Sequence, residues 1–257
     1  MSAQLLVDVG NTRLKWARLR AGKLGRMGSA PHGSGTPGHY RRLLAPALRG
    51  VEAVIVVSVA GRGVDRALAA GIVEASGLTP RFVGSTRRAA GVVNGYREVW
   101  RLGADRWVAA IGGWYEPARR GRPVCVVDVG TATTIDLVDA RGRHLGGAIV
   151  PGPALMVDSL LRGTRGIRRR AAGARRAPPP TPFARSTREA LEAGARHAVA
   201  ALVDRACVAA RERTGRRPLL LLTGGAAAEV APWIRAPHSV TPDLVLRGLA
   251  ALAATLP

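Results

Sequence analysis

Apolar residues along this chain come in short runs of two kinds, and their order predicts a layered α/β fold. Residues 4–9 and 14–19 are Val- and Leu-rich runs of strand length, and a short third strand follows the turn Ala21-Gly22-Lys23. A Gly-, Ser- and Pro-rich stretch over 28–38 reads as a loop, and 39–48 as a short helix with Arg41 and Arg42 on its outer face. Residues 54–58 have the composition of a central strand. Helical spacing then runs over 63–76, and 81–83 is another short strand. Asp105 and Arg106 follow Gly103 and Ala104 at the start of a helix that reaches Trp114.

The second half repeats the opening. Pro117 and Pro123 bracket a linker, after which strands are predicted over 124–128, 133–138 and, past Ala140-Arg141-Gly142, over 144–150. A helix over about 154–161 follows. Residues 165–180 are rich in Arg, Ala and Pro with no apolar period and read as a mobile loop. A long helix starts at Thr187 and runs to about Arg213. A buried strand over 219–222 then turns through Thr223-Gly224-Gly225-Ala226 into a helix, and a closing helix over 243–256 takes its cap from Thr241 or Asp243. Asp8 aligns with Asp128, Gly10 with Gly130 and Asn11 with Thr131. A hairpin written twice predicts two halves, residues 1–117 and 118–257, facing each other across a cleft.

Composition narrows the class. With 257 residues and a 47% hydrophobic fraction the chain can bury two ordinary cores, built from aliphatic residues because aromatics are only 4%. The net charge of +22 invites a nucleic-acid partner. Yet of 39 basic residues only Lys15 and Lys23 are lysine, and the arginines are scattered apart from a cluster at 162–176. No aromatic–basic interleaving accompanies them, so weak binding to polyanions is expected and no specific nucleic-acid partner. The longest apolar run, 51–60, is too short to cross a bilayer, so no membrane association is expected. Cys125 and Cys207 have neither metal spacing nor a CxxC motif. The first residues lack a basic start and reach Asp8 too soon for a signal peptide, and a cytoplasmic location is expected.

Each hairpin has its own chemistry. The acid emerges where the buried strand ends, and the glycine that follows permits a tight turn with exposed N–H groups. Such a turn attracts anions, while the carboxylate beside it can hold a cation. Two copies point to a metal–phosphate site. Asp105 has two readings: an acid interacting with a helix N-terminus, or a carboxylate with an arginine beside it, suited to accepting a proton and steadying an anion. Gly224-Gly225 could likewise serve ligand approach or close backbone packing. No P-loop, protein-kinase signature, HExxH or nucleophile elbow is present, and the five histidines have no ligand spacing.

Together, the stretches Asp8–Lys15, Gly103–Arg106, Asp128–Asp136, Gly146–Gly152 and Leu222–Gly225 resemble the type III pantothenate kinases, in order and over nearly the whole chain. The resemblance implies the fold of the acetate and sugar kinase, heat-shock chaperone and actin superfamily: two ribonuclease-H-like domains with mixed sheets and ATP between them. It implies ATP-dependent phosphorylation of pantothenate, the first step of coenzyme A synthesis, with Mg²⁺ and a monovalent cation (K⁺ or NH₄⁺), in a homodimer. ATP would contact Asp8, Val9, Gly10, Asn11, Thr12, Arg13, Leu14 and Lys15, with Thr131 from the second half. Asp128 would bind the monovalent cation and Asp105 would be the general base. Tyr96, Gly103, Ala104, Arg106 and Thr187 would line the pantothenate site with Asp105. The basic stretch 165–180 departs from the family pattern. Two other readings fit less: a kinase of the same superfold acting on another small hydroxylated substrate, and a non-catalytic regulatory or nucleic-acid-binding protein.

Overall fold

The computed structural model describes residues 3–32, 35–172 and 181–256. Its contacts divide the chain into two compact units, the first being 1–117 with 142–145 and 243–257, the second 118–141 with 146–242.

In the first unit, β1 (Ala3–Val9) and β2 (Arg13–Arg20) form the hairpin that the alternation predicts, with Asp8 opposite Lys15 and Val9 opposite Leu14. Short β3 (Lys23–Leu24) and β4 (Gly28–Pro31) both pair with β2. β4 corrects the predicted loop. Its composition is that of a turn, but its backbone completes the ladder on β2, and Gly28 lies opposite Trp16. A Cβ on Gly28 would sit 2.3 Å from that indole, so glycine is what lets the ring lie across the strand.

Helix α1 (Pro37–Leu48) leads to β5 (Ala53–Ser58), then α2 (Arg62–Ser76) to β6 (Arg81–Val83), and both strands run parallel to β1. The sheet order is β3-β2-β1-β5-β6. Leu5, Val7 and Val9 point into a core with Tyr40 and Leu44 of α1 and Leu68 and Ile72 of α2. The hairpin β7 (Arg88–Ala89) and β8 (Val92–Val93) precedes α3 (Ala104–Trp114).

The second unit repeats the plan: β9 (Val124–Val129), β10 (Ala132–Val138) and β11 (His144–Pro151) form the meander. Helices α4 (Pro153–Gly163), α5 (Arg165–Arg170) and α6 (Thr187–Thr214) follow, then β12 (Leu219–Thr223), α7 (Ala227–Val230) and β13 (His238–Val240). The order β11-β10-β9-β12-β13, antiparallel in the meander and parallel beyond β9, matches that of the first sheet. Cys125, Val127 and Val129 pack with Val199 and Val203 of α6 in the second core.

Two further readings change here. Residues 165–170 are helical rather than loop: arginine is a good helix former, and Ile167 joins α4 and α6 around an apolar cavity. The remainder of that expected loop, 173–180, lies outside the described residues. The closing helix α8 (Leu244–Ala253), which the sequence places in the second half, groups with the first unit and packs on α3, β1 and β5. The contact with α3 is backbone to backbone, since a Cβ on Gly112 would lie 2.1 Å from the Leu244 carbonyl and one on Gly248 1.9 Å from that of Val108. Asp243 does stand at the N-cap position of α8, but in the left-handed region (φ 66°) and without a side-chain cap bond.

Candidate active site

Three groups of predicted residues take definite form, two in the first unit and one in the second. The first is the β1–β2 turn. The Gly10 N–H donates to the Arg13 carbonyl (3.1 Å), closing the loop that holds Asn11 and Thr12. Asp8 and Lys15 are cross-strand partners, so their side chains leave the same face of the sheet. Arg13 Nε donates to Ser29 Oγ at 3.1 Å, which ties the turn to β4.

His32, to which the sequence assigns no chemistry, supports the same turn. Its Nε2 lies 2.6 Å from the Gly10 carbonyl and its Nδ1 3.2 Å from the Tyr40 hydroxyl. A carbonyl only accepts, so in the neutral ring Nε2–H faces Gly10 and Nδ1 accepts from Tyr40. Burial, and secondarily the Asp65 carboxylate, pushes the Tyr40 phenol up, so it keeps the proton it donates. Asp243, at the start of α8, lies within electrostatic reach of Lys15 and Arg247. Burial raises its carboxyl, and the two cations pull the other way.

The second group surrounds the start of α3. Gly103 is the N-cap residue and Ala104 the first helical one. Asp105 Oδ1 accepts the Arg106 N–H at 2.7 Å, so the helix-terminus reading of Asp105 is geometrically real. The same bond aims the carboxylate. Arg106 is only 6% exposed; its Nη1 donates to the Tyr96 hydroxyl (3.1 Å), and its guanidinium lies 5.8 Å from the centre of that ring. The Tyr96 ring in turn meets His144 at 5.8 Å.

The sequence reading missed what holds Tyr96. Arg87 donates to the carbonyls of Asn94 (3.0 Å), Tyr96 (2.9 Å) and Arg97 (3.0 Å), and the buried Asn94 side chain accepts the Tyr96 N–H at 2.9 Å. One guanidinium thus fixes the turn that presents the tyrosine. Nothing local in Thr86-Arg87-Arg88 distinguishes Arg87 from the many exposed arginines.

The third group is the β9–β10 turn in the second unit. The Gly130 N–H donates to the Ala132 carbonyl (3.0 Å), and the Thr131 carbonyl accepts from Gly152 (2.8 Å). A Cβ on Gly152 would fall 2.1 Å from the Gly130 carbonyl. Gly224, at φ 95°, backs Asp128 so closely that a Cβ would lie 2.3 Å from Oδ1, and the Ala226 N–H donates to the Val129 carbonyl (2.9 Å). Close backbone packing therefore explains Gly224, while Gly225 faces open space. A carboxylate among turn carbonyls is an oxygen-rich donor set that suits a hard cation. Thr187 belongs to the second unit as the first residue of α6, after the N-cap Ser186, and lines the apolar cavity beside α4.

These elements define a class. A meander-plus-parallel sheet built twice, each copy turning through acid and glycine, is the actin-like ATPase fold. Solved structures support that fold. The chain aligns over 99% of its length with component A of the (R)-2-hydroxyglutaryl-CoA dehydratase of Acidaminococcus fermentans, covering 97% of that chain (TM-score 0.56, 15% identity). It aligns over 98% with the activator of the 2-hydroxyisocaproyl-CoA dehydratase of Clostridium difficile, covering 93% of that chain (TM-score 0.54, 16% identity).

Sequence relatives narrow the class. The type III pantothenate kinase profile matches residues 4–209. Type III pantothenate kinases of Acidovorax ebreus (38% identity, 97% of this chain and 96% of that one) and Chromobacterium violaceum (37%, 98% and 100%) match end to end. The chain belongs to the type III pantothenate kinase family, ATP-dependent kinases of pantothenate in coenzyme A synthesis.

Proposed function

We propose that this kinase uses Asp105 as general base, with the Asp8–Lys15 hairpin and Thr131 on the ATP phosphates. Tyr96, Gly103, Ala104, Arg106 and Thr187 line the pantothenate site with Asp105. The observation that carries the reading is the fixed cluster at the start of α3: a hydrogen-bonded carboxylate next to a buried guanidinium that is locked to Tyr96. Phosphoryl transfer asks chiefly for positioning and charge neutralisation, plus one base at the nucleophile. Asp105 takes the proton of the pantothenate hydroxyl as its oxygen attacks the γ-phosphorus and ADP leaves. Arg106 holds a fixed positive charge beside that carboxylate and orients the acceptor. Lys15, opposite Asp8 in the first hairpin, faces the phosphate charge.

Magnesium accompanying the nucleotide supplies further charge neutralisation. Asp128 and the neighbouring turn carbonyls would hold the monovalent cation, K⁺ or NH₄⁺, which would relieve repulsion between carboxylate and triphosphate. A homodimer is supported by the apolar surface of the second unit. Leu155 and Leu160 of α4 and Phe183 are exposed, and Leu160 lines a cavity of about 360 Å³ with Met156, Ile167 and Leu191. A cytoplasmic location belongs to the same proposal; among the described residues no helix is long and apolar enough to cross a membrane.

The deciding assay follows ADP release with pantothenate, pantetheine and simple sugars as acceptors, with and without K⁺ and NH₄⁺ at constant Mg²⁺. Release with pantothenate that depends on the monovalent cation is expected. Release with sugars alone would assign another acceptor, and full activity without K⁺ or NH₄⁺ would assign Asp128 to Mg²⁺ or to structure.

A further inference from the structure

The second unit contains a cavity of about 620 Å³ that has no role in the reaction above. Cys207 and Arg211 of α6 line it, with Arg217 after that helix and Trp233 and Arg235 before β13. His197 lines it as well, and its buried Nε2 has no hydrogen-bond partner. Among the described residues the one acid of the lining is Asp204, and it is already engaged: its carboxylate accepts the N–H groups of Arg235 (3.1 and 3.2 Å) and Ala236 (2.8 Å). Three guanidiniums therefore leave the cavity with a net positive wall.

Cys207 is partly exposed in that wall and packs against the core cluster that contains Cys125 of β9, which is 1% exposed. The two thiols lie close enough to act on one another, and their environments push them apart. Cys125 and the Arg217 charge hold the Cys207 thiol below its ordinary value, against burial and Asp204. The Cys125 thiol is pushed well up, by Cys207 first and then by burial. The thiol that lines the cavity is thus the readier of the two to ionise, and it packs against the core cluster that holds the other.

We propose that Cys207 is a modification site that undergoes thiol–disulfide exchange with a small anionic disulfide seated in the arginine-lined cavity, and that Cys125 resolves the adduct. The Cys207 thiolate attacks one sulfur of the disulfide; that S–S bond breaks, and the first small thiolate leaves with the proton Cys207 gave up. Cys125 then attacks the Cys207 sulfur, and the second small thiolate leaves with the Cys125 proton. Two protein thiols are oxidised to one disulfide, and the small disulfide is reduced to two thiols. The cavity favours this oxidant over a neutral peroxide, because it is far larger than a peroxide requires and its guanidiniums match carboxylates.

The test treats the full chain with oxidised glutathione under native conditions and reads intact mass and free thiols. The parent should lose both thiols and retain no tripeptide, Cys125→Ser should keep the tripeptide on Cys207, and Cys207→Ser should not react. Arg217→Gln and Arg235→Gln should slow the reaction about tenfold, the scale of lost electrostatic attraction, and leave the rate with neutral 2-hydroxyethyl disulfide unchanged. Unchanged ADP release would show that these variants are folded. A Cys207→Ser chain reacting as fast as the parent would overturn the assignment, and a parent that keeps the tripeptide would remove the role of Cys125. Equal slowing with both disulfides, or none, would remove the arginine recognition.

Discussion

The hairpins at Asp8 and Asp128 share a topology and a motif, yet they are held by different means. The first is pinned from outside by side chains: His32 on the Gly10 carbonyl, Ser29 on Arg13, and Lys15 opposite Asp8. The second is pinned by backbone. Both strand ends accept a backbone N–H from a later loop, Val59 at Val9 and Ala226 at Val129, but only in the second does Gly152 also donate to the Thr131 carbonyl, and there Gly152 and Gly224 approach so closely that no side chain fits. From Val124 to Thr134 its only charge is Asp128. The duplicated motif has thus diverged into a turn flanked by Asp8, Arg13 and Lys15 and tied by side chains, and a turn flanked by Asp128 alone and closely backed by glycine backbone.

The largest effect would come from the charged unit. Asp105→Asn should cut turnover by roughly 10²–10⁴-fold with melting nearly unchanged, the usual worth of a positioned acid–base group. ADP release within a few-fold of the parent would reduce Asp105 to a helix-start residue.

Stability should separate the two turns next. Gly152→Ala places a Cβ 2.1 Å from the Gly130 carbonyl and should cost about 3 kcal/mol in denaturant unfolding, the upper end of overpacking penalties. Gly10→Ala meets its nearest atom at 3.4 Å and should cost no more than about 1 kcal/mol. Similar losses would erase the contrast.

A smaller effect would sharpen the contrast in charge. Lys15→Ala should raise the apparent Michaelis constant for ATP about tenfold at unchanged melting, as expected for one lost charge-assisted contact. Asp128→Asn should raise the same constant and blunt the K⁺ response together, so titrations of both ligands distinguish the two hairpins.

The smallest effect concerns Asp243. Burial raises its folded pKa above the ordinary 3.8, so in the window just above that value the folded chain binds more protons than the unfolded one. Stability then falls as pH rises through that window, and the penalty persists above it. Asp243→Asn, which tolerates the left-handed backbone, should flatten this dependence and raise stability near neutrality by no more than about 0.5 kcal/mol, the range of surface changes. Melting curves from about pH 4 upward test it; a steeper dependence in the variant would reverse the sign.

Both meanders were legible in the sequence because strand alternation and an acid–glycine turn are local signals that a few residues carry. The family motifs were legible for the same reason: Asp8, Gly103, Asp105 and Asp128 each lie in a short, ordered string. β4 was not, since Gly28, Ser29 and Pro31 have the composition of a turn and become a strand only by pairing with β2. Nor was α5, whose single apolar side chain, Ile167, sets no period.

What the sequence by itself determined is therefore the duplicated plan, the acid at the end of each central strand and the family to which the chain belongs. The tertiary structure decided the supports. Arg87 is one arginine among many until three carbonyls converge on it, and His32 is an isolated histidine until Gly10 and Tyr40 flank it. The closing helix joined the first unit because Gly112 and Gly248 let two backbones touch. Such contacts link residues far apart in the chain and depend on space left by missing side chains, a property that no single stretch of sequence records.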